Sequence, residues 1–131
     1  MRLEDLGTSK FDEYLGTELV EATPDRVVSV TPVRPELHQA YGIVHGGVYA
    51  SIIESLASVA ALTWLGPDSE TRVVGVSNQT DFIRPASSGS LRAEATPVQR
   101  GRTVQIWEVR VTDADGRLCA HGKVRLAHLT S

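Results

Sequence analysis

The sequence predicts an α+β domain in which a curved antiparallel sheet of about six strands wraps around one long central helix. Two short runs of β-branched residues come first, and one long apolar segment, residues 46–65, follows them. Four segments with alternating apolar residues come after it. Consecutive antiparallel strands must bury one face, and the apolar segment is the one object long enough to cover them.

Length and composition restrict the protein to a few classes. Residues 1–131 have room for one hydrophobic core, so we predict a single domain. The formal net charge is −3 and the basic residues are mostly scattered, which gives no indication of nucleic-acid binding. The single cysteine, Cys119, rules out an internal disulfide and favours a cytoplasmic protein. Mixed charges near the N-terminus argue against a signal peptide.

The segment before the apolar stretch is predicted to contain a short helix and a hairpin. Residues 1–10 are interpreted as a flexible arm, and residues 11–15 as one helical turn. Two β-branched runs, residues 17–23 and 26–33, flank the turn-forming pair Pro24-Asp25, so they are predicted to pair as a hairpin. The side chains expected to face inward from the helical turn are Phe11, Tyr14 and Leu15.

The central segment carries a single charged side chain, Glu54, and Gly66-Pro67 ends it. A helix that is apolar nearly all the way round is expected to be buried. Its length of roughly 27 Å also suits a membrane span, but a carboxylate at the centre of a bilayer costs about 2.5–3.5 kcal/mol. We therefore predict the core helix of a soluble domain, with Glu54 buried inside it at a cost that indicates a function.

Four strand-like segments follow the helix: residues 73–83, 91–99, 103–112 and 117–126. Short turns separate them, which favours consecutive antiparallel strands. Pro97 interrupts the second segment and indicates either an edge position or a β-bulge. The side chains expected in the core rather than in a substrate pocket are Trp64, Phe82 and Trp107, and Asp81 is expected to have a structural or supporting role.

The start of the central helix carries the pattern His45-Gly46-Gly47. The first backbone N–H groups of a helix have no partner within it and lie at the positive end of the helix dipole. Two glycines leave these donors open to a carbonyl or an oxyanion, although close packing against the sheet is an alternative reason for them. His45 is expected to orient or polarise a bound group, with a purely structural role as its alternative.

Glu54 is the candidate acid, with a structural carboxylate satisfied by nearby donors as the alternative. Ser58 lies four residues further along, so its hydroxyl is predicted to face the same side of the helix. Gly46 and Glu54 are roughly 12 Å apart along the helix axis, which is too far for both to act on one carbonyl. Two antiparallel helices in a two-fold homodimer bring each glycine near the other glutamate. The sequence therefore predicts a homodimer with two shared sites.

Neither metal chemistry nor a nucleophilic triad is predicted. The histidines lack the spacing of a ligand set, and the chain has no cysteine pair. The pattern Gly-x-Ser-x-Gly of hydrolases with a nucleophilic serine is absent. No metal site is therefore expected. The histidines considered are His38, His45, His121 and His128.

Two motifs carry a resemblance to a known family. The run Gln39-x-x-Gly42-x-Val44-His45-Gly46-Gly47, followed by Glu54-Ser55-x-x-Ser58, closely resembles that of hotdog-fold acyl-CoA thioesterases of the phenylacetic-acid-degradation (PaaI) type. It is also similar to the 4-hydroxybenzoyl-CoA thioesterases that use a glutamate. The resemblance covers nearly the whole chain and implies a hotdog fold, with dimers that usually pair into tetramers. Further matching runs are Asp81-Phe82-x-Arg84-Pro85 and Gly101-Arg102-Thr103.

The resemblance implies a role for each matching residue. Glu54 is expected to attack the thioester carbonyl or to activate a water molecule, and the sequence leaves both mechanisms open. The Gly46 N–H of the other subunit is expected to polarise that carbonyl. Gln39 and His45 are expected to orient the thioester or to stabilise the loop around Gly46, and Ser58 to help hold the water or the carboxylate.

Coenzyme A enters as part of the substrate, so no separate cofactor is implied. Its phosphates need cations and N–H donors. The candidates for binding it are Gly47, Arg84, Arg100, Arg102 and Thr103. Taken alone, each arginine is equally well explained as a solvated surface charge.

The expected function is hydrolysis of an acyl-CoA to free acid and coenzyme A, without a nucleic-acid or membrane partner. A non-catalytic acyl-CoA-binding module of the same fold is the alternative. A hotdog hydratase is disfavoured because the string Asp-x-Asn-Pro-x-His is absent. Aromatic acyl groups (phenylacetyl, hydroxybenzoyl, dihydroxynaphthoyl) and medium-chain fatty acyl groups stay open, as does the choice between dimer and tetramer.

Overall fold

One long helix lies across one face of a six-stranded antiparallel sheet. The computed structural model describes residues 9–129, so residues 1–8 of the predicted arm lie outside the described part. The strands follow the spatial order β1-β2-β4-β5-β6-β3, and the predicted fold class is confirmed. In chain order the elements are α1 (Lys10–Leu15), β1 (Glu18–Thr23), β2 (Arg26–Pro32), a 3₁₀ turn (Pro35–Leu37), α2 (Gly46–Leu65), β3 (Arg72–Phe82), β4 (Ser90–Arg100), β5 (Val104–Thr112) and β6 (Leu118–Leu129).

Helix α1 begins at Lys10, inside the segment predicted as an arm. The Ser9 hydroxyl oxygen accepts a hydrogen bond from the Asp12 N–H at 3.1 Å, and the Gly16 N–H bonds carbonyls of the preceding turn. The Ser55 hydroxyl donates to Asp12 Oδ1 at 2.8 Å and so ties α1 to α2. These caps and this link explain how so short a helix is held in place.

Only one of the three side chains predicted to point inward from α1 does so. Leu15 is buried, whereas Phe11 and Tyr14 are 55% and 59% exposed. A helix of less than two turns has one narrow face to bury, and Leu15 occupies it. The prediction is therefore wrong for the two aromatic residues.

Helix α2 has the predicted bounds, and the Gly66 N–H ends it by bonding Leu62 O at 3.1 Å. By length and hydropathy alone it qualifies as a possible membrane span. Its apolar face packs against the sheet, however, which identifies it as the core helix of the domain. The buried residues of that face are Val48, Tyr49, Ile52, Ile53, Leu56, Ala57, Ala60 and Ala61.

The opposite side of α2 is left partly open by the described residues, 9–129. Small and polar residues recur there every three or four positions, and Glu54 among them is exposed. The expectation that Glu54 is buried within its own chain is therefore wrong. Small residues such as serine and alanine occur both on buried and on exposed sides of helices, so the sequence did not show that this strip of α2 is exposed. Its residues are Gly47, Ser51, Glu54 and Ser58.

The six predicted strands are present, with ends shifted by a few residues. β6 extends to Leu129 because it pairs with β3 as far as Arg72. A β-bulge lies between Pro97 and Gln99 on β4, as one of the two interpretations of that proline predicts. β2 pairs with β4 only as far as Ala95. Pro97 therefore lies in a part of β4 that has a neighbouring strand on one side only.

The core lies between α2 and the inner face of the sheet. Trp107 is fully buried and Trp64 packs against the core, as predicted, but Phe82 is 62% exposed at the end of β3. Gly122 on β6 allows α2 to approach closely, because a Cβ there would lie 2.9 Å from Ile53 Cγ2. Buried strand residues include Leu91, Ala93, Ala95, Val109, Val111, Ala120, Val124 and Leu126.

Candidate active site

The N-terminus of α2 presents one open backbone donor. His45 precedes the helix, and its Nδ1 accepts a hydrogen bond from the Gly47 N–H at 2.8 Å. The Val48 N–H bonds His45 O at 2.9 Å. Within residues 9–129 the Gly46 N–H has no acceptor, so it is the free donor of the first turn. A neutral His45 carries its proton on Nε2, because Nδ1 is the acceptor.

The loop before α2 brings Gln39 to the same place. The loop folds back on itself, since the Gln39 N–H bonds Ile43 O at 2.8 Å and the Gly42 N–H bonds Gln39 O at 3.0 Å. The side-chain oxygen of Gln39 accepts a hydrogen bond from the Tyr41 N–H. The amide NH₂ of Gln39 is thereby left as a donor.

Gln39 and Gly46 line one cleft of about 320 Å³. Gly46 lies against the Phe82 ring, and a Cβ at position 46 would be 2.6 Å from Phe82 Cζ. Arg84 lines the same cleft and adds a cation. Two hydrogen-bond donors and a cation at the positive end of a helix suit a polarised carbonyl with an anionic group nearby. The full lining is Gln39, Ile43, Val44, Gly46, Tyr49, Phe82, Ile83, Arg84 and Pro85.

Tyr49, Phe82 and Ile83 are cleft residues that the sequence reasoning missed. Burial raises the pKa of the Tyr49 hydroxyl, with the neighbouring Cys119 thiol as the next cause, so Tyr49 stays neutral. Its ring centroid lies 6.2 Å from that of Phe82. The spacing of three residues after Gly46 was a signal for Tyr49. Phe82, the last residue of β3, and Ile83, which follows it, had no such spacing signal, because only the position of β3 beside α2 brings them here.

Glu54 lies in a second cleft, of about 170 Å³. In the part of the chain that the structure describes, no group donates a hydrogen bond to the Glu54 carboxylate, and no cationic side chain forms a salt bridge with it. The carboxylate is therefore open to a substrate or to water. The residues that line this cleft are Phe11, Ala50, Ser51, Glu54, Ser55 and Asn78.

Strand β3 runs alongside α2 in the opposite direction and connects the two clefts. Phe82 lies against Gly46, and at the other end a Cβ on Gly75 would lie 3.8 Å from Glu54 Cδ. Between them, Asn78 Nδ2 donates to Ala50 O at 3.0 Å. One chain thus holds the open donor and the open acid in separate clefts, in keeping with the predicted distance of roughly 12 Å along the helix.

The serines of α2 differ in what they bind. The Ser51 hydroxyl donates to Gly47 O at 2.7 Å, and the Ser55 hydroxyl is bound to Asp12. Ser58 lies one turn beyond Glu54 on the same strip, is partly exposed, and makes no side-chain hydrogen bond to any of residues 9–129. Its hydroxyl is the one that is available beside Glu54.

The predicted phosphate-binding residues fall into two groups. Arg84 lies in the Gly46 cleft, whereas Arg100 ends β4, and Arg102 and Thr103 lie in the turn between β4 and β5, near the C-terminal end of α2. The Arg100 guanidinium bonds Asp25 at 2.8 Å and lies 5.4 Å from the centroid of the indole ring of Trp64, so it is already engaged. Arg102 and Thr103 are exposed. A single chain therefore does not bring this turn together with Gly46.

A chain of polar groups that leads from the core to the surface holds that turn in place. Trp107 Nε1 donates to Gln105 Oε1 at 2.7 Å, and Gln105 Nε2 lies 2.9 Å from His128 Nε2. Because indole is only a donor, the amide orientation makes His128 Nε2 the acceptor. His128 Nδ1 then donates to Arg102 O at 2.8 Å, and the His128 N–H bonds Thr103 O at 2.9 Å.

Two remaining predictions concern a metal and Asp81. Across residues 9–129, no group of three or more His, Cys, Asp or Glu side chains could hold a metal ion. Asp81 is exposed near the end of β3, opposite His121 on β6. It does not line the clefts that contain Gly46 and Glu54.

The architecture and the two clefts define a class of protein. A six-stranded antiparallel sheet wrapped around one long helix is the hotdog fold, and an open N–H donor with an open carboxylate suits chemistry at a carbonyl carbon. A family model described as the thioesterase superfamily matches residues 41–120, more than half of the chain. The chain therefore belongs to the thioesterase superfamily, and it is a hydrolase that acts on thioesters.

Relatives and solved structures agree with this assignment. The Mycobacterium tuberculosis protein Rv1847 is 48% identical over 123 residues, which are 93% of this chain and 88% of that protein. Its solved structure covers 94% of this chain and 98% of its own, with a TM-score of 0.90 at 46% identity. The 1,4-dihydroxy-2-naphthoyl-CoA hydrolase of Escherichia coli K12 is 32% identical over 89% of this chain and 79% of that enzyme. The structure of the Haemophilus influenzae thioesterase HI1161 has a TM-score of 0.91 at 27% identity, over 99% of this chain and 92% of its own.

Proposed function

We propose that the protein hydrolyses acyl-CoA thioesters to a free acid and coenzyme A, at two sites shared between the subunits of a homodimer. The observation that carries this proposal is the separation, within one chain, of an open Gly46 N–H and an open Glu54 carboxylate into two clefts beside the same edge strand. The Escherichia coli relative acts, by its name, on a CoA thioester, which supports the substrate class.

The geometry of β3 supports a particular dimer. β3 pairs only with β6 among the described strands, so one edge of it is free to pair with another chain. Ala50 lies midway between Gly46 and Glu54 on α2, and it is bonded to Asn78, near the middle of β3. A two-fold axis near Asn78 that pairs β3 with its copy therefore brings each Gly46 level with the partner's Glu54.

The thioester carbonyl lies between these groups in the proposed site. Its oxygen accepts hydrogen bonds from the Gly46 N–H and the Gln39 amide, and the helix dipole stabilises the negative charge that develops there. His45 binds the neighbouring Gly47 N–H and so keeps the first turn of α2 in order. The partner's Glu54 either attacks the carbonyl carbon, forming an acyl–glutamate anhydride that water then hydrolyses to the free acid, or takes a proton from a water molecule that attacks the carbonyl carbon directly. In both routes the thiolate of coenzyme A leaves. Ser58, one turn beyond, helps to hold the water or the carboxylate.

Coenzyme A is proposed to extend away from the carbonyl towards two arginines, Arg84 and the partner's Arg102. Arg84 lies in the Gly46 cleft, and Gly47 lies at the same helix end. In the antiparallel pair of helices, the partner's turn with Arg102 and Thr103 lies about 15 Å from the carbonyl along the helix axis. Arg100 is held by Asp25 and so supports this turn rather than reaching from it.

We further propose a cytoplasmic location, since an acyl-CoA is an intracellular substrate, and a chemistry that needs no metal and no separate cofactor. Pairing of dimers into tetramers remains an expectation from the family resemblance. The alternative function, a non-catalytic acyl-CoA-binding module, uses the same donors but has no need for an open carboxylate at position 54.

The test is a heterodimer made from two inactive variants. Glu54→Gln keeps the size of the side chain but removes the base, and we expect thiol release from acyl-CoA to fall by about two to four orders of magnitude. Gly46→Ala places a Cβ against Phe82 and should also inactivate the protein. A heterodimer of the two, co-expressed with different affinity tags, retains one intact site and should recover about half of the wild-type activity.

Two controls make the outcome decisive. Glu70→Gln removes an exposed carboxylate outside both clefts and should leave activity unchanged. Thermal melting should show that every variant folds. A heterodimer as inactive as its parents contradicts the shared site, and full activity of a folded Glu54→Gln variant contradicts the role of the acid. Binding of acyl-CoA by the wild type without any thiol release favours the binding module.

A further inference from the structure

We propose that His128 is a positioning residue for coenzyme A, which holds the turn of residues 101–103 so that the Thr103 N–H and the Arg102 side chain face the phosphates of the substrate. This inference rests on the proposed function and extends it to a residue outside both clefts. His128 lies near the end of β6 and is partly buried. The chemistry proposed at the thioester carbonyl makes no use of it.

His128 binds the turn at two points. Its Nδ1 donates to Arg102 O at 2.8 Å, and its backbone N–H donates to Thr103 O at 2.9 Å. The peptide bond between Arg102 and Thr103 is trans, and the C=O and N–H of a trans peptide point in opposite directions. The Thr103 N–H shares this peptide with Arg102 O, so it points away from the His128 ring.

The groups that this arrangement turns outward are open to a ligand. Arg102 and Thr103 are both exposed. Within residues 9–129 the Thr103 N–H has no acceptor, and the Arg102 side chain makes no salt bridge or hydrogen bond. Arg100, in contrast, is bound to Asp25 at 2.8 Å. A cation beside an open N–H donor is a combination that suits a phosphate group.

A chain of hydrogen bonds with one direction connects His128 to the core. Trp107 Nε1 donates to Gln105 Oε1 at 2.7 Å, so the amide nitrogen of Gln105 is the group that lies 2.9 Å from His128 Nε2. Indole can only donate and a carbonyl can only accept, so a neutral His128 must carry its proton on Nδ1. Gln105 Nε2 also lies 3.4 Å from Ala61 O on α2. Because Gln105 and Trp107 are fully buried, this network gives the His128 ring a defined orientation.

The turn is therefore anchored on both sides. Arg100, the last residue of β4, bonds the turn between β1 and β2 and so holds the start of the turn of residues 101–103. His128 holds its end. Removal of the His128 imidazole leaves Arg100 in place but releases Arg102 O, so the two outward donors lose their common direction. Pre-organised donors bind more tightly than mobile ones, because less conformational freedom is lost on binding.

The distance of the turn from the reacting carbonyl indicates which kinetic constant depends on His128. In the proposed dimer the turn lies about 15 Å from the carbonyl along the helix axis. A phosphate contact at that distance is the same in the ground state and in the transition state, so its loss raises KM and leaves kcat unchanged. A thioester of N-acetylcysteamine carries the reacting end of the substrate without the phosphates. Its KM should therefore not depend on His128.

The experiment measures kcat and KM for an acyl-CoA and for the N-acetylcysteamine thioester of the same acid, with phenylacetyl or hexanoyl as the acyl group. His128→Phe keeps a planar ring without its hydrogen bonds, and we expect KM for the acyl-CoA to rise about tenfold at unchanged kcat. His128→Gln keeps one donor and one acceptor and should restore part of the affinity. His128→Asn is too short to reach both Gln105 and Arg102 O, and it carries the same test if His128→Phe does not fold.

The matched control is His121→Phe. His121 lies on the same strand, but its Nε2 is 2.5 Å from Glu108 Oε1 and it does not contact the turn, so its loss should leave KM at the wild-type value. An unchanged KM for the acyl-CoA in a folded His128 variant, an equal rise for the short thioester, or an equal rise in His121→Phe overturns this inference and leaves thioester hydrolysis intact. A wild type that releases thiol from neither kind of substrate overturns the proposed function, and this inference with it.

Discussion

The two edges of the sheet differ in length, in charge and in the number of exposed apolar side chains, which are Val20 on β1 but Val74, Val76 and Phe82 on β3. Val20 on β1 and Val76 on β3 are exposed to a similar degree, 53% and 56%. β1 has only six residues, and Arg26 joins its Glu21 to Glu94 on β4 through contacts of 2.9 Å each. β3 has 11 residues, and residues 73–80 within it carry no charged side chain.

The β1 edge is protected against pairing with another chain, and the β3 edge is suited to it. A short strand with charged side chains resists the addition of another chain, whereas a long uncharged edge favours it. The uncharged edge is also the one that lies beside Gly46 and Glu54. We expect a second copy of the chain to pair with β3 and so complete the active site, and we expect no chain to pair with β1.

The largest effect is expected from charges placed on the β3 edge. Val74→Lys combined with Val76→Lys places two lysines on the uncharged edge. In a pair centred near Asn78 they would face the partner's Phe82 and the partner's Thr80 and lose their water, so the proposed dimer should dissociate. Because each site of the proposed dimer is built from two chains, thiol release should fall by about 100-fold or more. Light scattering after size exclusion measures the mass, and the same samples are assayed. Val20→Lys on β1 is the control. If that variant dissociates the protein and the β3 variant does not, the interface lies at β1 and the proposed dimer is contradicted.

A smaller effect is expected from the packing that holds β3 and β6 against α2. In Gly122→Ala the new Cβ would lie 2.9 Å from both Ile53 Cγ2 and Thr80 Oγ1, so the helix or the edge strand has to move. Overpacking of this kind lowers the free energy of unfolding by about 1–3 kcal/mol. Urea unfolding measures the change. Gly75→Ala is the matched strand glycine, with its nearest contact at 3.8 Å, and equal losses in both variants would disprove the packing argument.

The smallest effect is expected at the charged edge. Hydrogen bonding from Arg26, followed by that from Arg92, lowers the pKa of the Glu94 carboxyl below its usual value. A lowered pKa means that the ionised group stabilises the fold above its unfolded-state pKa and that this contribution disappears as the pH falls through the folded-state pKa. Glu94→Gln should therefore reduce Tm by about 1–2 °C at pH 7. The difference from wild type should narrow between pH 5 and pH 3, and a gap that widens there would contradict the assignment.

The elements of the fold were largely predictable, and the exposure of particular side chains was not. Alternating residues identified β5, with Trp107 on its buried face. Phe11 and Phe82 are also large apolar side chains, yet both are exposed, because none of the described helices and strands covers them. Strand ends also escaped prediction, as at Leu129, since pairing with β3 rather than local pattern decides where β6 stops.

The residues that α2 contributes to the candidate site could be named from the sequence, whereas those that β3 contributes could not. The open N–H at Gly46 follows from glycine at a helix start, and the helix rise alone separates Gly46 from Glu54. Asn78 and Phe82 complete the two clefts from β3, far along the chain, so local sequence carried no signal for them. The exposure of Glu54 was missed for the same reason, because the sheet covers only one side of α2.

The sequence by itself determined that a long apolar helix with one acid and an N-terminal glycine pair would be wrapped by antiparallel strands, because apolar periodicity and turn chemistry act over short distances. Only the tertiary structure decided which strip of that helix stays open and which strand borders it. Those facts depend on how β3 aligns with β6 and α2, and alignment between distant segments is set by packing rather than by local preference.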